Sequence, residues 1–136
     1  INDNVKVLRY RGNKSVICDE AYILNKLGVA PDKYVLYKSL VGDSADNIVG
    51  VSKVGPKTAA TLVNSFENID ELIANKDKIV KKCARESVAN NIDRIKLNYK
   101  LIKLHGDVDL PFGEDEIVYT ISDITTMEVM RKIGLI

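Results

Sequence analysis

Apolar and polar positions alternate at the start of this chain and then recur at helical spacing almost to its end. Asn4–Tyr10 alternates about Val5, Val7 and either Leu8 or Tyr10, and Ser15–Cys18 is a short apolar run. Arg11-Gly12-Asn13-Lys14 between them predicts a tight hairpin turn. Two short strands make only a marginal sheet, so the hairpin is expected to be the trimmed edge of something larger. Asp19 predicts the cap of a first helix carrying Ala21, Tyr22, Leu24 and Leu27 and stopping at Gly28. Pro31 suits the start of a second helix, with Tyr34, Val35, Tyr37, Lys38 and Leu40, stopping at Gly42. A third helix is expected over Pro56–Phe66, with Ala59, Ala60, Leu62 and Val63 on its packing side, and a short fourth over Asn68–Ala74. After a broken stretch at Asp77–Cys83, the pattern predicts one long helix from Glu86 to about Leu104. Its stripe would be Val88, Ile92, Ile95, Leu97, Tyr99, Leu101 and Ile102. Val108–Pro111 reads as an extended linker and Asp123–Ile133 as a final helix. The fold class is therefore mainly α, a multi-helix domain preceded by a short β-hairpin.

With 136 residues, 46% hydrophobic and 29% charged, the chain is long enough to bury a core and is globular in composition. No apolar run approaches the roughly 18 residues of a membrane span, so no membrane partner is expected. The chain begins at Ile1 with no methionine and no signal-peptide pattern, which is the expectation for a processed or excised piece. Cys18 and Cys83 lie far apart without a CxxC pair, so both are expected to be buried free thiols, and zinc is excluded for want of ligands. A net charge of +1 does not by itself point to nucleic acid. Its distribution is uneven: nine Lys/Arg against three Asp/Glu from Lys76 to His105, then seven acids and no Lys or Arg from Gly106 to Val129. Charge alone is equally served by solvated helix faces with internal ion pairs.

The run from Val41 to Ala59 carries the candidate chemistry. Asp43 and Asp46 stand at i and i+3, which in a helical turn places both carboxylates on one face. Such a pair suits Mg²⁺, which commonly takes one or two protein carboxylates and keeps water elsewhere. The plainer reading is a cap at Asp43 and a solvated Asp46. Next comes Gly50-Val51-Ser52-Lys53-Val54-Gly55-Pro56-Lys57-Thr58-Ala59, which has the form of a helix-hairpin-helix. Gly50 and Gly55 are expected in backbone conformations closed to other residues. Val51 and Val54 would turn inward, and Pro56 would open the helix. The N–H groups of Gly55, Lys57 and Thr58 would then face an anion, with the Lys57 ammonium adding charge. The plainer reading is a helix–turn–helix corner punctuated by Gly and Pro.

Taken together, Gly42-Asp43-Ser44-Ala45-Asp46-Asn47-Ile48, Gly50-Val51 and Val54-Gly55-x-Lys57-Thr58-Ala59 resemble the 5′→3′ exonuclease/flap endonuclease family. That family includes the 5′-nuclease domain of bacterial DNA polymerase I and stand-alone relatives. The resemblance implies a division into residues 1–18, the trailing edge of an upstream α/β, PIN-like nuclease domain, and residues 19–136, a helical DNA-binding domain built round a helix–three-turn–helix. It implies that Asp43 and Asp46 complete a Mg²⁺ or Mn²⁺ cluster, and that Gly55, Lys57 and Thr58 bind phosphate. It also implies that the main-chain carbonyls of Val49, Val51 and Val54 hold K⁺ or Na⁺. The partners implied are double-stranded or flap DNA, gripped without regard to sequence, and the missing N-terminal nuclease domain of the same protein. Localisation would be the bacterial cytoplasm.

Two departures from the family pattern stand out: Val49 where proline is usual, and Lys53 where glycine is usual. A right-handed turn is expected at Lys53; the alternative is a strained left-handed turn whose ammonium gains a phosphate. The remaining metal-binding acids of the family lie upstream of the segment that Ile1 resembles. The reading is thus the C-terminal DNA-binding portion of a metal-dependent nuclease acting in replication and repair, which by itself binds duplex backbone without efficient cleavage. The alternative is a non-catalytic helix-hairpin-helix module of a repair factor, in which Asp43 and Asp46 would have no catalytic use.

Overall fold

The N-terminal alternation becomes an antiparallel hairpin, β1 (Val7–Arg11) and β2 (Lys14–Cys18), in the computed structural model, which describes residues 1–118 and 125–136. Val7 faces Cys18 and Arg11 faces Lys14, leaving a two-residue turn that Gly12 opens at φ 55°. Leu8 and Ile17 oppose each other across the strands and both remain exposed, whereas Cys18 is buried.

The helices follow from local signals. Asp19 accepts the Tyr22 N–H at 2.8 Å and starts α1 (Glu20–Leu27), which Gly28 ends in the left-handed conformation. A 3₁₀ turn at Pro31–Lys33 leads into α2 (Tyr34–Val41), where Leu36, absent from the expected apolar set, is among the most buried side chains. A two-residue strand pair follows, β3 (Gly42–Asp43) and β4 (Ile48–Val49). Then come α3 (Pro56–Ser65) and α4 (Ile69–Ala74), the latter capped by Asn68, whose side chain accepts the Glu71 N–H at 2.9 Å. Lys33 ties the entry of α2 to the exit of α3 by donating to the Phe66 carbonyl at 3.0 Å and the Glu67 carbonyl at 2.6 Å.

The long helix expected over 86–104 is two helices, α5 (Lys82–Ala89) and α6 (Ile92–Ile102). They part at Asn90-Asn91, where the Asn91 amide donates to the Ser87 carbonyl at 2.8 Å and competes with the helical ladder. Restarting the helix shifts its phase. Ile95 and Asn98 are buried, Tyr99 and Ile102 are half-buried, and Leu97 and Leu101 face solvent, contrary to the stripe read from the sequence. The last helix, α7 (Thr126–Lys132), begins behind Thr125, whose hydroxyl accepts the Glu128 N–H while Glu128 accepts the Thr125 N–H. The expected start at Asp123 lies outside the described residues.

The chain divides into two compact units, Ile1–Leu104 and His105–Ile136. The core of the first is built from Leu36, Leu40, Leu62, Val63, Leu72, Val88 and Ile95, with α2 lying against α3 and α6. Val51 and Val54 enter this core from the segment before α3, as their pattern implies. Both cysteines are free; Cys18 is buried, but Cys83 is only half-buried, which corrects the expectation of two buried thiols. No helix among the described residues is long and apolar enough to cross a membrane.

Candidate nucleic-acid interface

The last carbonyls of a helix have no partners within it, and in α2 they become the seat for the segment that follows. The Lys38 carbonyl takes the N–H of Gly42, the Ser39 carbonyl takes the Asn98 amide at 3.0 Å, and the Leu40 carbonyl takes the Val51 N–H at 2.7 Å. Gly42 sits at φ 86°, ψ 177°, a region essentially restricted to glycine. A Cβ there would stand 2.5 Å from the Gly50 nitrogen, and one on Gly50 would overlap the Val41 carbonyl. Backbone thus lies directly on backbone at Gly42 and Gly50. The expectation that Gly50 and Gly55 need unusual backbone angles is corrected: neither has a positive φ, and Gly50 is required for space.

The helical turn expected at Asp43–Asp46 is instead a β-hairpin. Gly42 pairs with Val49 and Asp43 with Ile48, and Ser44–Asn47 forms the loop, closed by Asn47 at φ 57°. Gly42 breaks the helical path too sharply for a further turn, and Asn tolerates the left-handed position. Asp43 Oδ2 lies 3.0 Å from Lys38 Nζ, and Asp43 Oδ1 accepts the Ala45 N–H at 3.2 Å. The Lys38 ammonium holds the Asp43 carboxyl below its ordinary pKa. Asp46 is exposed in the loop. Among the described residues no group of three or more His, Cys, Asp or Glu side chains is placed to hold a metal. Asp43 on β3 and Asp46 in the adjoining loop are carboxylates of the kind that would supply part of an open Mg²⁺ or Mn²⁺ shell, other groups completing it, once Lys38 gives up Asp43.

Beyond β4 the chain reverses at Val51–Val54, where the Val54 N–H bonds the Val51 carbonyl at 3.1 Å. Lys53 takes φ 62°, so the right-handed turn expected there is corrected. Val51 and Val54 are each 4% exposed, so both ends of the four-residue turn lie in the core and its third residue, Lys53, carries the positive φ. That position prefers glycine. Lys53→Gly is therefore expected to raise stability by up to about 1 kcal/mol, read by urea denaturation; an unchanged or lower midpoint would show that the turn carries no strain.

Gly55 follows in an extended conformation (φ −82°, ψ 177°), and Pro56 opens α3. With glycine at the cap no side chain can satisfy the first N–H groups, so those of Lys57 and Thr58 face outward beside the exposed Lys57 side chain. Ala59, Leu62 and Val63 hold the opposite face of α3 in the core. This helix start carries the positive end of the helix dipole and free N–H groups, the polarity that favours a nearby negative charge.

Of the three carbonyls expected to ligate a monovalent cation, those of Val49 and Val51 each accept one hydrogen bond. Val49 accepts the Asn98 amide at 2.9 Å and Val51 accepts the Val54 N–H. Two residues of this region escaped the sequence reading. Lys38 was assigned to an apolar face, and only the fold brings it to Asp43. Asn98 is hidden in the long-helix stripe; its signal is a lone amide between Ile95 and Tyr99, which pack in the core.

Residues 29–125 match the family model described as 5′-3′ exonuclease, C-terminal SAM fold. The chain is similar to a 5′-3′ exonuclease of Aquifex aeolicus (strain VF5), 30% identical over 128 residues, covering 94% of this chain and 42% of that protein. It is also similar to DNA polymerase I of Rhizobium leguminosarum, 35% identical over 96 residues, covering 71% of this chain and 9% of that protein. With the thermostable DNA polymerase I of Thermus aquaticus it shares 32% identity over 110 residues, covering 81% of this chain and 13% of that protein. The chain thus spans less than half the length of these relatives.

Proposed function

This chain belongs to the 5′-3′ exonuclease family as its C-terminal SAM-fold domain, and on that premise we propose that it is the DNA-gripping part of a metal-dependent nuclease. The observation that carries the reading is the start of α3. The outward N–H groups of Lys57 and Thr58, the Lys57 ammonium and the exposed Gly55 backbone together suit one phosphate of a DNA strand. Lys53, exposed one turn earlier, adds a second charge to the same edge. None of these groups has the means to read a base edge from that position, so the grip is on duplex or flap DNA irrespective of sequence. Gly50–Gly55, with α3 directly after it and α2 before the β3–β4 hairpin, then acts as the turn of a helix-hairpin-helix.

Asp43 and Asp46 contribute carboxylate oxygens to Mg²⁺ or Mn²⁺ in the intact protein, where other acids complete the shell. The metal, when bound, supplies polarisation of the scissile phosphate and a lowered pKa for attacking water. The short β3–β4 hairpin holds these carboxylates, while α3 holds the strand a fixed distance along the backbone. Two carboxylates without further acids do not make a two-metal centre, so this chain alone binds duplex DNA without efficient cleavage. Mg²⁺-dependent cutting of a 5′-flap substrate by the purified 136-residue chain would overturn that part of the reading.

The grip itself is tested by anisotropy of a labelled duplex across a salt series. Binding should weaken as salt rises, and Lys57→Ala should weaken it uniformly for all sequences while reducing the log–log salt slope by about 1. Absence of salt-dependent binding to any duplex or flap DNA at low ionic strength would remove the reading.

A further inference from the structure

The β3–β4 pair that carries Asp43 joins only two residues of each strand, Gly42 with Val49 and Asp43 with Ile48, too little to hold its own place. Its β3 end runs directly on from α2, but its β4 end needs a tether from elsewhere. Asn98 supplies it. This side chain is 4% exposed on α6, flanked by Ile95 and Tyr99, which pack in the core. Its amide donates to the Val49 carbonyl at 2.9 Å and to the Ser39 carbonyl, in the last turn of α2, at 3.0 Å. Among the described residues, no other side chain hydrogen-bonds the main chain between Ile48 and Val54.

The start of α3 is seated differently. Val51 and Val54 enter the core ahead of it, the Val51 N–H bonds the Leu40 carbonyl at 2.7 Å, and Ala59, Leu62 and Val63 are buried on its inner face. Core packing fixes the phosphate-binding edge, whereas the carboxylate hairpin is referred to that edge through the Asn98 amide. We infer that Asn98 is a positioning residue: it sets the spacing between the Asp43–Asp46 hairpin and the phosphate held at the start of α3, and so the phosphodiester bond at which the strand is cut. At 4% exposure it is closed off from metal and DNA alike, and it acts only through the main chain of Ser39 and Val49. Without it two carbonyls lose their donor, the hairpin is left on its own two residue pairs, and its carboxylates are free to shift relative to α3. The inference rests on the metal and phosphate roles proposed above, but the tether itself can be tested without either.

Amide hydrogen exchange in this chain tests the tether. In Asn98→Ala the Val51 N–H is expected to exchange about tenfold faster relative to those of Leu62 and Val63 in α3, the mark of a local opening. Uniform acceleration across all three, or none at Val51, would overturn the inference, showing a general loss of stability or no tether. Should Asn98→Ala not fold, Asn98→Ser, which keeps one shorter donor, takes its place with the same expectation. The consequence is read in the intact nuclease from the lengths of the products cut from a 5′-flap strand. The wild type should cut chiefly at one bond. Asn98→Ala should spread the cuts over neighbouring bonds and lower kcat about tenfold or more, with DNA affinity kept within about threefold. A residue that only stabilises the fold would lower the yield and leave the cut position alone. An unchanged product distribution, or a loss of affinity that accounts for the fall in rate, would overturn the positioning role. If cleavage survives the loss of Asp43 and Asp46, the metal reading fails instead, and hydrogen exchange still decides whether Asn98 holds the hairpin.

Discussion

Gly42→Ala is expected to lower the stability of this chain by about 3–5 kcal/mol, a large share of the 5–15 kcal/mol typical of a small domain. Two independent costs add. At φ 86°, ψ 177° the backbone of Gly42 occupies a region that a side-chain-bearing residue enters only at about 1–3 kcal/mol. The new methyl would also stand 2.5 Å from the Gly50 nitrogen and 2.6 Å from the Ile48 carbonyl oxygen. Both obstacles are backbone atoms, which cannot rotate aside. Relief would require the β3–β4 hairpin to lift from α2, breaking the Val51 N–H bond to Leu40 and withdrawing Val51 and Val54 from the core. Gly55→Ala is the control: at φ −82° with nothing within 4 Å of the added methyl, it should change stability by less than about 1 kcal/mol. Urea denaturation of both variants checks the contrast. Equal losses would show that the close approach of Gly42 and Gly50 does not limit stability.

The sequence made the helices legible where a local signal decides the outcome. Asp19, Gly28, Pro31, Asn68 and Pro56 set helix boundaries by capping chemistry that needs no tertiary partner, and the structure places them accordingly. The inward turn of Val51 and Val54 was equally readable, because two valines three apart between glycines have little else to do. What failed was of another kind. Asn90-Asn91 is compatible with a helix by propensity, and the break comes with the Asn91 amide bonding the Ser87 carbonyl, which propensity does not register. Lys53 takes its positive φ between two valines buried in the core, against the steric preference that a single residue displays in the sequence. Around Asp43 the spacing of the two aspartates suggested a helical face. Gly42 overrides that spacing, and the role of Gly42 follows only from its contact with Gly50, eight positions on. Lys38 and Asn98 share this character. Each acts through a residue distant in sequence or on another element, Asn98 bonding Ser39 and Val49 across |i−j| of 59 and 49.

In the intact nuclease, Asp43→Ala together with Asp46→Ala is expected to reduce cleavage of a 5′-flap or duplex substrate by about 100-fold or more while leaving DNA affinity within about threefold. Unfolding of the variant is not the cause. Asp43 is paired with Lys38 at 3.0 Å, but the side chains are 26% and 18% exposed, so water can replace each partner and the pair is worth less than about 1 kcal/mol. Because the Asp43 carboxyl is held below its ordinary pKa, that small contribution is complete at neutral pH. It is lost only as pH falls through the lowered value, so the comparison at neutral pH removes all of it. Asp46 is exposed in the Ser44–Asn47 loop, and its loss removes no packing. The double variant should therefore keep its fold, and its helical circular dichroism should show it. Loss of two negative charges beside a phosphate backbone works, if anything, in favour of DNA binding. An undiminished anisotropy isotherm with cleavage gone would thus separate metal ligation from the grip at Lys57. Partial rescue by raised Mn²⁺ in the single variant Asp46→Ala, which keeps Asp43 as a ligand, would tie the loss to the metal rather than to substrate position. If cleavage by the double variant persists at the wild-type rate, Asp43 and Asp46 hold no metal. The carboxylate at 43 then serves only to pair Lys38, and the catalytic role of this chain ends at the phosphate it holds.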